Sequence, residues 1–376
     1  MTMLDHDTYN EFRASIRRFA EEKVKPYAAL VDEEARAPIE AVRASLELGI
    51  PGLPFPEQYG GSDGDLFTQI IASEELARVC ASTSICTSTN WLMMAVVNYG
   101  TEEQKRELIP GIVNGTLQCA WGLTEPRGGS DLMGATTSAV RTAEGWLLNG
   151  TKRFITNGGW ADRYLIFART SKQAFSLFLV NKEDPGVSFG AQERKMGLRG
   201  SPTCDVIMDN CVIPHARLLG QEGQGATYIT DALLKSRLTI GAHALGIAQG
   251  AFDETLRYTQ EREQFGQPVA RHQMVRGMVA DMSVRIETAR AILYRGVEFY
   301  MRDDPAAKHF ACVAKIACSD AAMSVTTDAV QLHGGYGYLK EYPVERMMRD
   351  AKVTQIWEGT NQIQKLMIAK EVYAKA

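Results

Sequence analysis

The hydrophobic residues in the first part of the chain recur at helical spacing. Over residues 67–79, apolar side chains return every three or four positions, which predicts an amphipathic helix. An earlier helix is predicted to begin at a cap, Asp7 or Thr8, and to end at Pro26. The glycine-rich residues 60–64 are predicted to form a loop between helices. This part of the chain is therefore predicted to be helical.

The pattern changes near residue 118, where short apolar runs replace the helical period. The runs cover residues 146–148, 164–167 and 175–180, and residues 204–212 alternate between apolar and polar positions. The residues predicted to form turns between them are Asn149-Gly150, Asn157-Gly158-Gly159 and Asp184-Pro185-Gly186. Short strands at this spacing predict a small β-barrel or sandwich.

Helical spacing returns after residue 222 and predicts a four-helix bundle, with three long helices and a shorter one at about residues 359–373. The three apolar stripes are Ile229, Leu233, Ile240, Ala244, Ile247 and Ala251; Met274, Met278, Met282, Ile286, Ala289 and Leu293; and Phe310, Ala314, Ala321, Val325 and Leu332. Gly241, Gly246 and Gly250 lower helix propensity, so we expect them to allow close approach of another helix, within or between subunits.

The three patterns divide the chain into an N-terminal helical domain (1–117), a middle β domain (118–222) and a C-terminal helical bundle (223–376). The predicted fold class is therefore α+β. A length of 376 residues suits two or three domains, and 45% apolar residues are enough for a large core.

Composition narrows the classes of function. A net charge of −4 and a pI near 6.0 argue against a nucleic-acid-binding protein. The seven cysteines are odd in number and include no CxxC pair, which predicts reduced thiols in a cytoplasmic protein and no metal site. No run of 18 apolar residues occurs, so no membrane span is expected, and the first residues lack the marks of a secretory or transit peptide.

Five glycine-rich or polar segments at the edges of these regions carry the candidate chemistry. They are residues 123–131 (LTEPRGGSD), 154–159 (FITNGG), 262–266 (REQFG), 331–337 (QLHGGYG) and 355–362 (QIWEGTNQ). Glycine backbone N–H groups can approach an anion, and Arg262 can hold a phosphate with two hydrogen bonds. Each segment also has a purely structural interpretation, as a loop, a strand end, a solvated arginine, a helix cap or a surface glutamate.

Glu358 is the candidate for acid–base chemistry. It stands between bulky apolar residues and a glycine, where burial would raise the pKa of its carboxyl towards the range of a useful base. The chain has no GxGxxG after a strand and no GxxxxGK[ST], so neither a nicotinamide site nor an ATP site is supported.

The five segments occur in the order and spacing of the acyl-CoA dehydrogenase family, which the whole chain resembles. The resemblance implies the acyl-CoA dehydrogenase fold, in which a helical domain, a β-barrel domain and a four-helix bundle follow one another. It also implies FAD between the last two domains and a homotetramer built from dimers.

The activity implied is the conversion of an acyl-CoA thioester to its trans-2-enoyl-CoA, with an electron-transfer flavoprotein as acceptor. A thioester carbonyl makes the α-hydrogen weakly acidic, and a positioned carboxylate removes that proton while the β-hydrogen leaves as a hydride to flavin N5.

The resemblance assigns roles to residues by motif. Glu358 matches the base, and its backbone N–H matches a donor to the thioester oxygen. The cofactor positions are Trp121, Leu123, Thr124, Gly129, Ser130, Phe154, Thr156, Arg262, Gln264, Phe265, His272, Gln273, Gln331, Leu332, Gly334, Gly335, Thr360 and Gln362. The substrate positions are Trp91, Ser130, Arg237 and Gly359. Of the cofactor positions, Arg262, Gln264, His272 and Gln273 match residues that reach the FAD of a neighbouring subunit.

Three positions depart from the family pattern. Phe154 stands where tryptophan is common, so stacking on the flavin is expected to survive with altered colour or potential. Ser236, just before Arg237, occupies the position where some relatives carry the base, and a serine cannot serve as one. Leu234 replaces an aspartate that contacts the pantetheine side of the substrate in many relatives, so coenzyme A is the expected carrier and a carrier protein is the alternative.

The resemblance implies that residues 79–98 line the acyl pocket. They contain no Lys or Arg, whereas relatives that bind a dicarboxylic acyl chain place an arginine there, so such a chain is disfavoured. Trp91 is expected either to shorten the pocket or only to pack in the helical domain. We therefore expect a short, branched or cyclic apolar acyl group.

The same fold hosts acyl-CoA oxidases and flavin monooxygenases, and also enoyl reductases that run the reaction in reverse. Glu358 favours α,β-dehydrogenation over monooxygenation, but it does not separate a dehydrogenase from an oxidase. It also argues against a catalytically silent, chaperone-like relative.

Overall fold

A computed structural model describes residues 6–374 of the chain. Its first part is helical, as predicted. The helices are α1 (His6–Phe19), α2 (Ala28–Glu34), α3 (Ile39–Glu47), α4 (Leu66–Val79), α5 (Ala81–Ser88), α6 (Met94–Tyr99) and α7 (Glu102–Val113). The predicted helix over residues 67–79 is α4, which begins after the cap Asp65 and the glycine-rich loop.

The two predicted ends of the first helix are wrong. Asp7 lies inside the first turn of α1, so it does not cap the helix. Pro26 does not end the helical path either, because the chain continues through a π turn (Ala20–Val24) and a 3-10 turn (Lys25–Tyr27) into α2. Pro26 lies in the first turn of the 3-10 segment, where its missing N–H breaks no hydrogen bond.

The middle of the chain forms strands, as predicted. They are β1 (Cys119–Gly122), β2 (Ser138–Arg141), β3 (Trp146–Thr156), β4 (Arg163–Arg169), β5 (Phe175–Asn181), β6 (Val187–Phe189), β7 (Thr203–Ile213) and β8 (Leu218–Leu219). They pair in the order β6-β7-β3-β2-β4-β5-β8, with β1 beside β4. The sheet is antiparallel except where β4 runs parallel to β1 and β2. Its hydrogen-bonded order is open, with β6 and β8 as its ends.

One predicted turn in the sheet is wrong. Asn149-Gly150 lies inside β3, where the pairing with β7 shifts register between Leu148 and Gly150. An asparagine-glycine pair suits a tight turn, but it also suits a β-bulge, because glycine accepts unusual backbone angles. At Gly150 φ is 149°, and an added Cβ would lie 2.5 Å from the Thr137 hydroxyl. Pro185 and Asn157, in contrast, do lie in connections between strands, as predicted.

The last part of the chain is helical again. Its elements are α8 (Gly225–Glu261), a short hairpin of β9 (Glu263–Gln264) and β10 (Gln267–Pro268), α9 (Gln273–Met301), α10 (Ala307–His333), α11 (Val344–Val353) and α12 (Asn361–Tyr373). The three long helices and the short final one are confirmed, whereas α11 was not predicted. Most of the predicted stripes are buried, but Met274 at the start of α9 is exposed.

Two of the glycines on α8 allow close approach within the chain. An added Cβ at Gly246 would lie 2.2 Å from the carbonyl oxygen of Glu74, and one at Gly250 would lie 2.0 Å from that of Arg78. Both carbonyls belong to α4, so the glycines let α8 pack closely against the backbone of the N-terminal helices.

Three apolar clusters form the core. One is internal to the sheet. Another joins the N-terminal helices, the sheet and the start of α8 at Ile229. The third joins α4 and α5 to the bundle. The proposed domain boundaries fall between α7 and β1 and between β8 and α8, and they stay a prediction.

Within residues 6–374, no helix is both long and apolar enough to span a membrane. All seven cysteines are buried and unpaired. The described residues contain no cluster of three or more His, Cys, Asp or Glu side chains arranged to hold a metal.

Candidate active site

Glu358 lies between α11 and α12, in a segment that we call the base loop (residues 354–361, including the first residue of α12). Its backbone adopts a left-handed conformation, with φ of 53°, which is costly for a residue with a side chain and is concentrated at functional sites. The carboxyl oxygen Oε2 accepts a hydrogen bond from the Ser236 hydroxyl on α8, at 2.8 Å. Within residues 6–374, neither Oε1 nor the backbone N–H of Glu358 has a hydrogen-bond partner.

The pKa of Glu358 is raised, because burial removes its carboxyl from water. The hydrogen bond from Ser236 and the charges of Arg237 and Lys315 act in the opposite direction. The predicted effect of burial on this carboxyl is therefore present, and three neighbouring groups limit it.

The base loop is fastened by the first turn of α12. The Gln364 side chain donates to the carbonyl oxygens of both Glu358 and Gly359, each at 3.1 Å. Thr360 caps α12 by accepting from the Ile363 N–H at 3.2 Å. These contacts hold the backbone that follows the carboxylate-bearing residue.

A second set of contacts fastens the loop to α10. The fully buried Lys315 ammonium donates to Asn361 Oδ1 at 2.7 Å, and the Asn361 amide donates to Ser319 and to Asp320, both at 2.9 Å. Burial lowers the pKa of Lys315 to about 8, so near neutral pH it remains mostly a cation. The positive charge of Lys315 is thus held next to the base loop, at Asn361.

A register shift in β3 exposes the side chain of Phe154 at the surface of the sheet. The pairing of β3 with β7 shifts register between Lys152 and Ile155, and Phe154 has φ of 57°. A bulge of this kind re-aims a side chain, and 57% of the phenylalanine is exposed. The Arg153 guanidinium lies 4.6 Å from the ring centroid and is itself paired with Asp205. An aromatic ring is therefore held at the surface.

A buried ion pair anchors the loop that begins at Leu123. Lys152 on β3 donates to Glu125 at 2.8 Å and to the Leu123 carbonyl at 3.3 Å. Burial lowers the pKa of Lys152 to about 8. Burial also disfavours the charged form of Glu125, but the hydrogen bonds from Lys152 and Thr137 hold its pKa at about 2. Both groups are thus charged at neutral pH.

This anchor places several of the predicted cofactor residues. Trp121 and Leu123 pack in the apolar cluster that includes Ile229 near the start of α8. Thr124 lies against Gly129, where an added Cβ would be 3.4 Å from the threonine methyl. Ser130 is exposed beyond it.

Most of the remaining predicted cofactor residues form a second region, the cofactor edge (residues 262–273 and 331–336). At the hairpin tip, Phe265 and Gly266 both have positive φ, and Phe265 is 94% exposed. His272 lies against the same hairpin, with its Nε2 3.2 Å from the Gln264 carbonyl oxygen.

Residues at the end of α10 form the second part of the cofactor edge. A cavity of about 420 Å³ is lined there by residues that include Arg262, Gln264, Gln331, Leu332, Gly334 and Gly335. These six were all predicted as cofactor residues from separate segments, and the structure brings them together. The Arg262 guanidinium lies 5.3 Å from the ring centroid of Tyr336 and pairs with no carboxylate of the described chain.

Family models match all three regions of the chain. The model of the acyl-CoA dehydrogenase N-terminal domain matches residues 6–116, that of the middle domain 120–211 and that of the C-terminal domain 223–373. The chain belongs to the acyl-CoA dehydrogenase family. The short-chain-specific acyl-CoA dehydrogenase of Clostridium acetobutylicum is 42% identical over 367 residues, which cover 96% of this chain and 97% of that protein.

Solved structures agree with the family. Butyryl-CoA dehydrogenase from Megasphaera elsdenii has a TM-score of 0.95 and 38% identity, covering 99% of this chain and 100% of that one. A chain from a structure described as the electron transferring flavoprotein of Acidaminococcus fermentans has a TM-score of 0.95 and 39% identity, covering 99% of each chain. As an acyl-CoA dehydrogenase, the protein is an oxidoreductase and an FAD flavoprotein, which confirms the predicted enzyme class and cofactor.

The residues of this acyl-CoA dehydrogenase fit FAD. The cation Arg262 has no carboxylate partner among residues 6–374, and it lines the same cavity as Gly334 and Gly335, where an added Cβ would meet nothing within 4 Å. An unpaired guanidinium beside open glycine backbone suits a pyrophosphate. The exposed ring of Phe154 suits the apolar face of a flavin.

Not every predicted site residue lies near these groups. Trp91 is buried in the N-terminal core, where its Nε1 donates to the Ile50 carbonyl at 3.1 Å. Its position supports the packing role that the sequence left open. Leu234 packs against the bundle core. Gln362 is exposed on α12. Thr156, in contrast, ends β3 opposite Thr203, two residues beyond Phe154.

Sequence reasoning missed four residues that shape the site. Ser236 was dismissed as a base, and its contact with Glu358 spans 122 positions. Lys315 is a charged residue within a helix whose neighbours are mainly apolar, which was a usable signal of a buried partner. Gln364 and Lys152 carried no signal that separates them from surface residues.

Proposed function

We propose that this acyl-CoA dehydrogenase desaturates a short acyl-CoA thioester between its α and β carbons, with Glu358 as the base. The observation that carries the proposal is the state of the Glu358 carboxyl. Its pKa is raised, Ser236 holds one of its oxygens, and the other has no partner in the described chain. A carboxylate with a raised pKa and a free oxygen suits general base catalysis near neutral pH.

The backbone beside the carboxylate supports the same role. The unpartnered Glu358 N–H is available to donate to the thioester oxygen and so to stabilise negative charge as the α-proton leaves. Gln364 fixes the two peptide groups that follow Glu358, by donating to the carbonyl oxygens of Glu358 and Gly359. FAD, when bound, supplies the acceptor for the hydride that leaves the β-carbon.

The predicted cofactor residues divide into two groups that suit two ends of FAD. Leu123, Thr124, Ser130, Phe154 and Thr156 would hold the flavin end. The cofactor edge, with Arg262 and the open glycines of α10, would hold the pyrophosphate end of the FAD of a neighbouring subunit. We therefore propose a homo-oligomer, and a tetramer in particular.

The acyl group proposed is short and carries no charge. Residues 79–98 contain no Lys or Arg to pair with a second carboxylate. The relatives from Clostridium acetobutylicum and Megasphaera elsdenii are described as short-chain specific and butyryl-CoA dehydrogenases. Because Trp91 packs in the core, it gives no separate support to a branched or cyclic group.

Anaerobic mixing of the FAD-loaded enzyme with a panel of thioesters tests this proposal. Butyryl-CoA should bleach the flavin absorbance faster than octanoyl-CoA, isobutyryl-CoA or cyclohexanecarbonyl-CoA, and glutaryl-CoA should not react. The same butyryl group on an acyl carrier protein tests the alternative that Leu234 leaves open. Failure of every thioester to bleach the flavin would contradict the proposed reaction.

The proposed electron acceptor is an electron-transfer flavoprotein, supported by the similarity to the chain from Acidaminococcus fermentans. An acyl-CoA oxidase is the competing function. Turnover should therefore consume little oxygen without an added electron-transfer flavoprotein. Rapid release of peroxide during turnover would favour the oxidase.

A further inference from the structure

We propose that Ser236 is a positioning residue for Glu358: its hydroxyl holds Oε2 by donating a hydrogen bond and leaves Oε1 as the oxygen that takes the substrate proton. This inference rests on the proposed role of Glu358 as the base. Ser236 occupies the position of the base in some relatives, and here it has a supporting function instead.

The Ser236 hydroxyl is well placed to donate to the carboxylate. Ser236 is buried on α8, and its Oγ lies 2.8 Å from Glu358 Oε2 but 3.4 Å from the Leu233 carbonyl oxygen. A hydroxyl has one hydrogen to donate, and the shorter contact is to the charged acceptor, which forms the stronger bond. Since no other side chain within residues 6–374 donates to the Glu358 carboxylate, removal of this hydroxyl leaves the carboxyl free to rotate.

The charged groups around Glu358 do not replace this contact. Arg237 of α8 and Lys315 of α10 both favour the ionised form through their charge, but neither is hydrogen-bonded to the carboxylate. Lys315 also faces Asp320 and donates to Asn361. His243, further along α8 and packed against Trp357, is buried and neutral near pH 7, because burial lowers its pKa to about 3.

The contact has a predictable effect on the pH dependence of catalysis. Donation to Oε2 is stronger when Glu358 is ionised, so it lowers the pKa of that carboxyl against the effect of burial. Without the hydroxyl, the pKa of Glu358 rises further. A base works only when deprotonated, so the acid limb of the kcat/KM profile then moves to higher pH.

The test compares variants at this position across a pH series with butyryl-CoA. Ser236→Ala should move the acid limb up by about one pH unit, with kcat well above the limb within a few-fold of the parent. Ser236→Thr keeps the hydroxyl and should restore the parent profile, whereas Ser236→Val, which is isosteric with the threonine variant but has no hydroxyl, should resemble Ser236→Ala. If the alanine variant does not load FAD, the threonine and valine pair decides the question.

Ser45→Ala is the matched control. Ser45 is also buried on a helix and donates to the carbonyl three residues before it, at 2.6 Å, but it contacts no carboxylate. Its profile should be unchanged, and an equal shift in this control would point to a general loss of structure and overturn the inference. An unshifted limb in both Ser236→Ala and Ser236→Val would also overturn it. Glu358→Gln, measured in parallel, separates the two proposals, because full activity in that variant would show that Glu358 is not the base.

Discussion

The base loop and the cofactor edge differ in whether their polar groups find partners within the chain. The base loop is held by groups of its own chain: Ser236 of α8 holds the Glu358 carboxyl, while side chains of α10 and α12 hold Asn361 and the loop backbone. The cofactor edge instead presents Arg262 without an ion-pair partner in the described chain, together with glycines that face open space and the almost fully exposed Phe265. One region is complete within the subunit, and the other suits completion by another molecule. Substitutions in the base loop should therefore lower turnover, whereas substitutions in the cofactor edge should weaken FAD binding or subunit association.

The largest expected effect follows from removing the base. Glu358→Gln should lower kcat by roughly 10²–10⁴-fold, because a positioned general base contributes about that much. The variant should still bind FAD, since the cofactor residues are unchanged. The measurement is anaerobic reduction by butyryl-CoA, together with the flavin absorbance of the purified variant. Loss of FAD in this variant would mean that the two regions are not separable.

Arg262→Gln should have the opposite effect, weaker FAD binding with little change in turnover once FAD is bound. Loss of a charge-assisted contact to the pyrophosphate should weaken FAD binding by about 10–100-fold, while the variant reconstituted with excess FAD regains most of its activity. Equilibrium dialysis against FAD measures the change. Arg106→Gln, at an exposed arginine on α7 paired with Glu102, is the control and should bind FAD normally. Equal affinities in the two variants would contradict the assignment of the edge to FAD.

Phe265→Ser tests whether the edge meets a second subunit. Burial of a phenylalanine contributes about 1.5–3 kcal/mol, so subunit dissociation should occur at a protein concentration roughly 10- to 100-fold higher. Light scattering over a dilution series measures this. Val140→Ser, at another exposed apolar residue on β2, should leave assembly unchanged. A subunit association as strong as the parent's would place Phe265 outside any interface.

The smallest expected effect is on the stability of the base loop. The pKa of Glu358 is raised in the folded state, so this carboxyl favours folding below its unfolded pKa and loses that contribution as pH rises through the folded pKa. At pH 7 it therefore costs stability, and Glu358→Gln should raise Tm by roughly 1–2 °C. The difference should shrink at pH 4. A lower Tm for the variant at pH 7 would contradict the raised pKa.

The helical and strand regions were predictable because the spacing of apolar residues, every 3.6 or every 2 positions, depends only on residues close together in sequence. The meeting of six cofactor-edge residues in one cavity was predictable only through the family resemblance, since 262–264 and 331–335 are far apart in sequence. The bulge at Phe154 was not predictable, because positive φ at a phenylalanine opposes its own propensity and is imposed by the neighbouring strand. Ser236 and Glu358 meet only through the packing of α8 against the base loop.

Gly359 has a consequence for which sequences this protein can tolerate. Its φ is 86°, and an added Cβ would lie 2.5 Å from the Gln364 side-chain nitrogen that holds the loop carbonyls. In a saturation library, every residue other than glycine should be depleted at position 359, because this positive φ strains an L side chain whatever stands at position 364. A shorter side chain at position 364 should relieve only the added contact, so the position next to the base is expected to be the more restricted of the two.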